Sequence, residues 1–277
     1  VKTYTDVMNH RDIRLRKQAG EIFEMTDEDP AKAMEVWASV PPAVMGADPR
    51  EMRERTLLKM IEDTVADPSV PEFDRQQAID ELKQYLWAGT ETTALTLAWA
   101  LYETSRRPEM AERIRREGEQ VYGDREPTAA DYSGLAYTRA VIQETMRIYP
   151  PVWSLIRIAA AEDEIGGVKI NPGDRVSIFS YGAHHNPKFW PEPESFLPER
   201  WMAGNAKKQV KYSYIPFGAG KRSCIGGAMS QVENTLALSL LLRRFQPEYV
   251  GKDPAGLNAT VTLTPKGGLR FKIRELN

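Results

Sequence analysis

Two spacings of apolar residues divide the chain. From Asp74 to about Ser105, "DRQQAIDELKQYLWAGTETTALTLAWALYETS" follows a helical pattern, opened by Asp74 as a cap and closed ahead of Arg107-Pro108. At 1.5 Å of rise per residue such a helix spans roughly 48 Å. Its stretch from Leu95 to Leu101 is apolar on nearly every face, which predicts a rod buried through the middle of a domain. Further helices are predicted over Pro108 to Tyr122, over about Leu135 to Tyr149 with a stop at Pro150-Pro151, and over "IGGAMSQVENTLALSLLLRRF" from Ile225. The first seventy or so residues are predicted as charged helices, "VKTYTDVMNHRDIRLRKQAGEIF" and "REMRERTLLKMIED", broken by "VPPAVMGADP". After Pro151 the spacing shortens. "VWSLIRIAAAEDEIGGVKINPGDRVSIFS" has short apolar runs cut by Gly-Gly and Asn-Pro-Gly, which predicts small antiparallel strands. Residues His184 to Tyr214 are predicted as loop, and "TVTLTPKGGLRFKI" as a hairpin turning at Pro-Lys-Gly-Gly. The fold class is mainly α with small antiparallel β-sheets (α+β), and no repeat or linker divides it, so residues 1–277 are expected to form a single domain.

Composition adds limits. With 42% hydrophobic and 27% charged residues the chain suits a soluble globular protein, and a net charge of −2 gives no general attraction for nucleic acid or a membrane surface. One cysteine excludes an internal disulfide and a multi-cysteine zinc site, and three histidines, two of them adjacent at His184 and His185, match no zinc spacing. His184 and His185 are expected to be loop residues. There is no signal peptide at Val1 and no run of eighteen apolar residues, so a cytoplasmic location is expected.

The single cysteine sits in "FGAGKRSCIG", residues 217 to 226. A thiol at the start of a helix and beside Lys221 and Arg222 is placed where a thiolate is favoured, since helix N-terminus and cations both stabilise negative charge. That suits a metal ligand, and Phe217 is expected to cover the sulfur while Gly220 and Gly226 permit backbone conformations or close approaches that side chains would block. A buried, inert cysteine is the plain alternative. The spacing Phe-x-x-Gly-x-Arg-x-Cys-x-Gly, met by Phe217, Gly220, Arg222, Cys224 and Gly226, resembles the haem-ligand loop of the cytochrome P450 family, the haem-thiolate monooxygenases.

The resemblance continues upstream from about Glu72. "AGTET", Ala88 to Thr92, is similar to the family's oxygen-activation segment: Ala88 and Gly89 leave space over the iron, the Thr92 hydroxyl can reach the Ala88 carbonyl and loosen the helix, and Glu91 and Thr92 are implied as the proton relay with Thr93 alongside. "ETMR" supplies Glu144 and Arg147 at a helical i,i+3 spacing, and "FLPERW" supplies Arg200; the resemblance implies a buried structural trio that supports the cysteine loop. Trp201 stands where the family more often has phenylalanine, a mild change of aromatic. Arg157 and Arg222 are implied partners for haem carboxylates, for which the guanidinium fork is suited. "PPVWSLI" is implied as pocket lining through Val152, Trp153 and Ile156, completed by Tyr85, Ala88 and residues near Thr262 to Thr264.

The implied function is insertion of one atom of dioxygen into an apolar organic substrate, with haem b as cofactor. Neither a flavin nor a nicotinamide fingerprint is present, so electrons are expected from a separate ferredoxin- or flavoprotein-type donor, docked on Lys207, Lys208, Lys211, Lys221 and Arg222. Two alternatives stay open: a peroxide-using or peroxide-rearranging relative, against which Glu91 and Thr92 argue, and a non-catalytic haem-binding fragment. The family's N-terminal sheet and first helices, among them a Trp-x-x-x-Arg helix at the haem, are expected to be missing or shortened. Trp153 to Arg157 fits that spacing by coincidence.

Overall fold

A computed structural model describes residues 57–69, 74–202, 209–252 and 254–276, and the expected helix at Val1–Phe23 lies outside them. The chain divides into two compact units, Lys2–Glu91 and Thr92–Asn277. In the first, helix α1 (Leu57–Ala66) covers the described part of the second predicted helix. Helix α2 (Arg75–Ser105) runs through the unit boundary in sequence. Asp74 caps it as expected, its carboxylate accepting the Gln77 amide at 2.9 Å. Of the apolar stretch Leu95 to Leu101, Thr96 and Ala98 to Leu101 are buried while Leu95 and Leu97 are half-buried, and burial continues through Thr104.

Within the second unit, α3 (Pro108–Tyr122) buries Ala111, Ile114, Gly118 and Tyr122, one stripe at helical spacing. That stripe packs on α6 (Gly227–Arg244). Gly118 is required there: a Cβ would come within 2.8 Å of the Ser239 hydroxyl, which is hydrogen bonded to Tyr122 at 2.9 Å. Helix α4 (Ala136–Ile148) is buried almost throughout and packs against α6 and the 3-10 turn Pro198–Trp201. Its N-cap, Leu135, has no capping side chain. Glu117 of α3 supplies one instead, accepting the amides of Tyr137 and Thr138 at 2.6 and 2.8 Å and the Thr138 hydroxyl at 2.6 Å.

Four short strands follow, β1 (Leu155–Ile158), β2 (Asp163–Ile165), β3 (Val168–Ile170) and β4 (Arg175–Ile178). They pair antiparallel as β1 with β4 and β2 with β3, Arg157 lying opposite Val176. A short helix, α5 (Ser180–His184), follows, and its last residue, His184, which was expected to be loop, is helical and completely buried.

The expected C-terminal hairpin does not form. β7 (Leu263–Pro265) pairs with β6 (Leu257–Ala259), whereas β8 (Phe271–Glu275) pairs with β5 (Phe245–Tyr249), the strand that leaves α6. Pro265 to Gly268 does make a turn, its Gly268 amide bonding the Pro265 carbonyl at 3.1 Å. The left-handed residues there are Gly267 and Gly268, φ +77° and +76°, the third and fourth turn positions. A two-residue hairpin loop needs them at the second and third, so the chain leaves the turn in another direction.

Candidate functional site

The cysteine loop is fixed by its own backbone. The Gly218 amide bonds the Ile215 carbonyl at 3.0 Å, Cys224 donates to Phe217 at 2.9 Å, and Ser223 donates to Gly220 at 3.1 Å across a 3-10 turn of Gly220–Arg222. Gly220, φ +72°, is a position where a side chain would be strained, as expected. Gly226 is different: at φ −82° it has a conformation open to any residue, and a Cβ there would meet only the Cys224 Sγ at 3.9 Å. The close approach belongs to Gly227, where a Cβ would sit 3.2 Å from the Phe217 ring. Phe217 therefore packs on the first turn of α6, and the Cys224 thiol is solvent-facing. The residues around it share that exposure: Ile225 is 78% exposed, Met229 69%, and Arg222 is also exposed.

Strand β1 meets this loop. Gly218 lies so near it that a Cβ would stand 3.4 Å from Leu155 Cδ1. Alternation along a strand puts Arg157 on the same face as Leu155, and Ile156, 53% exposed, on the opposite face. Trp153 and the β6–β7 turn are brought together, the indole N–H donating to the Thr260 carbonyl at 2.9 Å and the Leu263 amide to Pro151 at 2.9 Å. Val152 is half-buried beside them, its carbonyl accepting the Ser180 hydroxyl at 2.7 Å.

In the segment Ala88 to Thr92, Ala88 and Gly89 are exposed, and a Cβ at Gly89 would meet nothing within 4 Å. Tyr85 and Glu91 are half-buried; burial and a hydrogen bond with Glu81 raise the Tyr85 phenol. The Thr92 carbonyl accepts the Thr96 hydroxyl at 3.0 Å. Thr93 was expected only to lie alongside. Its hydroxyl is 3.3 Å from that of Ser230, which in turn takes an N–H from Asn234, so α2 is tied to the helix that follows the cysteine.

Glu144, Arg147 and Arg200 do come together. Glu144 and Arg147 are 0% exposed and bonded two-fold, Nε to Oε2 at 2.9 Å and Nη2 to Oε1 at 2.8 Å, with Arg200 Nε at 3.4 Å from Oε1. The guanidinium of Arg147 also donates to the carbonyls of His184, Pro193 and Ser195 at 2.9, 2.7 and 3.0 Å. Every charge-bearing atom of this pair thus finds partners, which a buried ion pair requires. Trp201 is more than a change of aromatic. Its indole N–H donates to Glu144 Oε2 at 2.8 Å, a bond phenylalanine cannot make.

His184 is the residue that sequence reasoning passed over. Its Nε2 accepts the Ile215 amide at 2.9 Å, and burial, then the neighbouring charges of His185 and Arg147, push its pKa down to about 3. The adjacent histidines were the only signal, and their spacing carries no information about a partner thirty residues on. His185 stacks on Tyr181, ring centroids 4.0 Å apart. Of the expected basic face, Lys207 and Lys208 and the side chain of Lys221 lie outside the described residues, while Lys211 is exposed over the Tyr212 ring. Among the described residues no helix is long and apolar enough to cross a membrane, and no cluster of three His, Cys, Asp or Glu residues could hold a metal ion.

Comparison with known proteins agrees with this geometry. The sequence model of the family described as Cytochrome P450 matches residues 12–271, well upstream of Glu72 where the resemblance by motif begins. The chain is 38% identical over 174 residues to a cyclooctat-9-en-7-ol 5-monooxygenase of Streptomyces melanosporofaciens, covering 63% of this chain and 38% of that protein. It is 32% identical over 235 residues to cytochrome P450 4V2 of Homo sapiens, covering 84% and 45%. A putative cytochrome P450 132 of Mycobacterium bovis is 34% identical over 197 residues, covering 71% and 42%. The chain thus spans less than half the length of these relatives. A match over most of its own residues, together with a ligand-type cysteine loop and the Glu144–Arg147–Arg200 trio, means that the chain belongs to the cytochrome P450 family.

Proposed function

We propose that this chain carries the haem site of a haem-thiolate monooxygenase, which inserts one atom of dioxygen into an apolar organic substrate with electrons from a separate ferredoxin- or flavoprotein-type donor. One observation carries the reading: the only thiol faces solvent on a fixed loop, beside two apolar side chains, Ile225 and Met229, that are left largely open. A flat apolar ring with a metal at its centre and carboxylates at its edge would cover those side chains, accept the sulfur and use Arg222 and Arg157. Haem b fits that description. When bound it supplies dioxygen binding and activation, the thiolate's electron donation favouring cleavage of the oxygen–oxygen bond.

The residues divide the remaining work. Cys224 holds the metal as a thiolate, favoured by the N-terminus of α6 and by the Arg222 cation. Phe217 orders the loop through its packing on Gly227, and Gly220 supplies the left-handed backbone of its turn. Glu91 and the Thr92 hydroxyl hold and pass a proton, and Ala88 and Gly89 leave their side of α2 open. Val152, Trp153 and the Thr262 turn line the substrate space, and Ile156 stands on the strand face opposite Arg157. The Glu144–Arg147–Arg200 trio acts through structure, holding the layer beneath the cysteine loop. Lys211 and Arg222 offer cations to an acidic electron donor. A relative named as a 5-monooxygenase supports oxygen insertion as the reaction.

The experiment uses haem-loaded protein, screened for spin-state shifts with fatty acids, terpenes and steroids, then assayed with the best ligand. Product is expected to require dioxygen and a reductase system, and Thr92→Val is expected to release reducing equivalents as peroxide in place of product. Product from peroxide alone, equal in wild type and Thr92→Val, would point instead to the peroxide-using alternative.

A further inference from the structure

His184 joins two parts of the molecule that the functional reading treats separately. Its backbone carbonyl accepts Arg147 Nη1 at 2.9 Å, so one end of the residue is fixed to the buried Glu144–Arg147 pair. Its ring reaches the other way. Nε2 accepts the Ile215 amide at 2.9 Å, the Ile215 carbonyl accepts the Gly218 amide at 3.0 Å, and the Phe217 carbonyl accepts the Cys224 amide at 2.9 Å. The entry to the cysteine loop is therefore held by an imidazole lone pair. The Tyr214 ring lies 5.3 Å from that imidazole, centroid to centroid, and its hydroxyl donates to the Gln143 carbonyl of α4 at 3.1 Å, fixing the preceding residue to the same layer.

An acceptor at Nε2 dictates the rest of the ring's chemistry. A neutral imidazole has one protonated nitrogen, so the proton is on Nδ1. Nδ1 is buried with no hydrogen bond of normal geometry, while backbone groups of Arg147 and Met146 near the ring favour its proton. A histidine kept only to fill space would be replaceable by a hydrocarbon of similar size with no orphaned donor left behind. What the ring adds, and a hydrocarbon does not, is the lone pair on the Ile215 amide. Ile215 is nearly buried and precedes Pro216, so its amide has no recourse to solvent and its backbone is already restricted to extended conformations.

We propose that His184, as its neutral Nδ1–H tautomer, is the positioning residue that sets the cysteine loop, transmitting the placement of the Glu144–Arg147 pair to Cys224. This rests on the reading of Cys224 as a haem ligand. The test compares haem-loaded wild type, His184→Leu and His184→Gln by haem content and by the carbon monoxide difference spectrum of the reduced protein. Wild type is expected to give a thiolate-type band. His184→Leu is expected to lose most of that band to the form without thiolate while haem remains bound, and His184→Gln to recover most of it, because the amide Oε1 can accept the same N–H. A wild-type band in His184→Leu, or a Gln variant no better than Leu, would overturn the proposal.

If His184→Leu binds no haem, the ring nitrogens decide the matter in wild type. Nitrogen-15 NMR showing Nδ1 protonated and Nε2 bare from pH 8 to 5 supports the assignment; a proton on Nε2 overturns it. A wild type without any thiolate band would instead defeat the haem-ligand reading, and the ring measurement would then judge the His184 contact by itself.

Discussion

Trp201→Phe removes an indole N–H from a buried carboxylate and little else, which makes its cost calculable. Glu144 Oε2 has two donors, Arg147 Nε at 2.9 Å and Trp201 Nε1 at 2.8 Å, and the substitution leaves one. A hydrogen bond to a charged group is worth about 1.5–3 kcal/mol. Trp190→Phe is the matched control. Both indoles are buried, Trp190 2% and Trp201 9% exposed, and they pack on each other with ring centroids 5.6 Å apart, so both variants lose the same atoms from the same cluster. The Trp190 N–H, however, donates to a neutral carbonyl, that of Ser213, at 3.3 Å, a bond worth about 1 kcal/mol or less. Trp201→Phe should therefore be less stable than Trp190→Phe by about 1–2 kcal/mol, read from urea unfolding midpoints at pH 7.5 with unchanged slope. Equal losses would refute the claim that the indole donor serves the Glu144 carboxylate.

Other consequences are as direct. The His184 pKa is held near 3 against an ordinary value of 6.5, so the folded state refuses a proton that the unfolded chain takes up; its contribution is complete above pH 6.5 and is lost as pH falls toward 3. About 2 kcal/mol should be lost between pH 8 and 5 from this group, and His184→Gln should show a correspondingly flatter stability profile, with His185, Arg147, Glu144 and Tyr214, the groups around it, left in place. An identical pH slope in wild type and variant would contradict this. Glu117→Ala should destabilise by about 1–2 kcal/mol in the same urea assay, since α4 loses the carboxylate that accepts its first amides, whereas Glu119→Ala on the exposed side should be nearly neutral. Gly220→Ala should cost about 1–2 kcal/mol through its left-handed backbone, and Gly226→Ala markedly less, as measured by thermal unfolding; the reverse order would refute the assignment of the strained position.

Where local pattern decides structure, the sequence was readable. Pro108 closes α2 and opens α3, Pro150-Pro151 ends α4, and the apolar stretch of α2 is largely buried, because each depends on residues within a turn or two of one another. Pairing between distant segments was not readable. β8 joins β5 across the length of the C-terminal region instead of turning back on β7, and nothing in the local alternation distinguishes the two partners. The site follows the same division. Resemblance to the family pointed to Cys224 and to the Glu144–Arg147–Arg200 trio, but the amide acceptor at His184, the indole donor at Trp201 and the Thr93–Ser230 link each join residues tens of positions apart, so no periodicity marks them. The glycines show the limit of motif reading: Gly220 has the backbone that only glycine favours, while the tight approach expected at Gly226 is made one residue later, at Gly227.

The account depends most on the bond between the Cys224 sulfur and haem iron, and X-ray absorption at the iron edge of haem-loaded protein measures that bond. One sulfur neighbour at iron is expected in wild type and none in Cys224→Ser. A purely nitrogen- and oxygen-coordinated iron in wild type, or a sulfur signal surviving in Cys224→Ser, would contradict it.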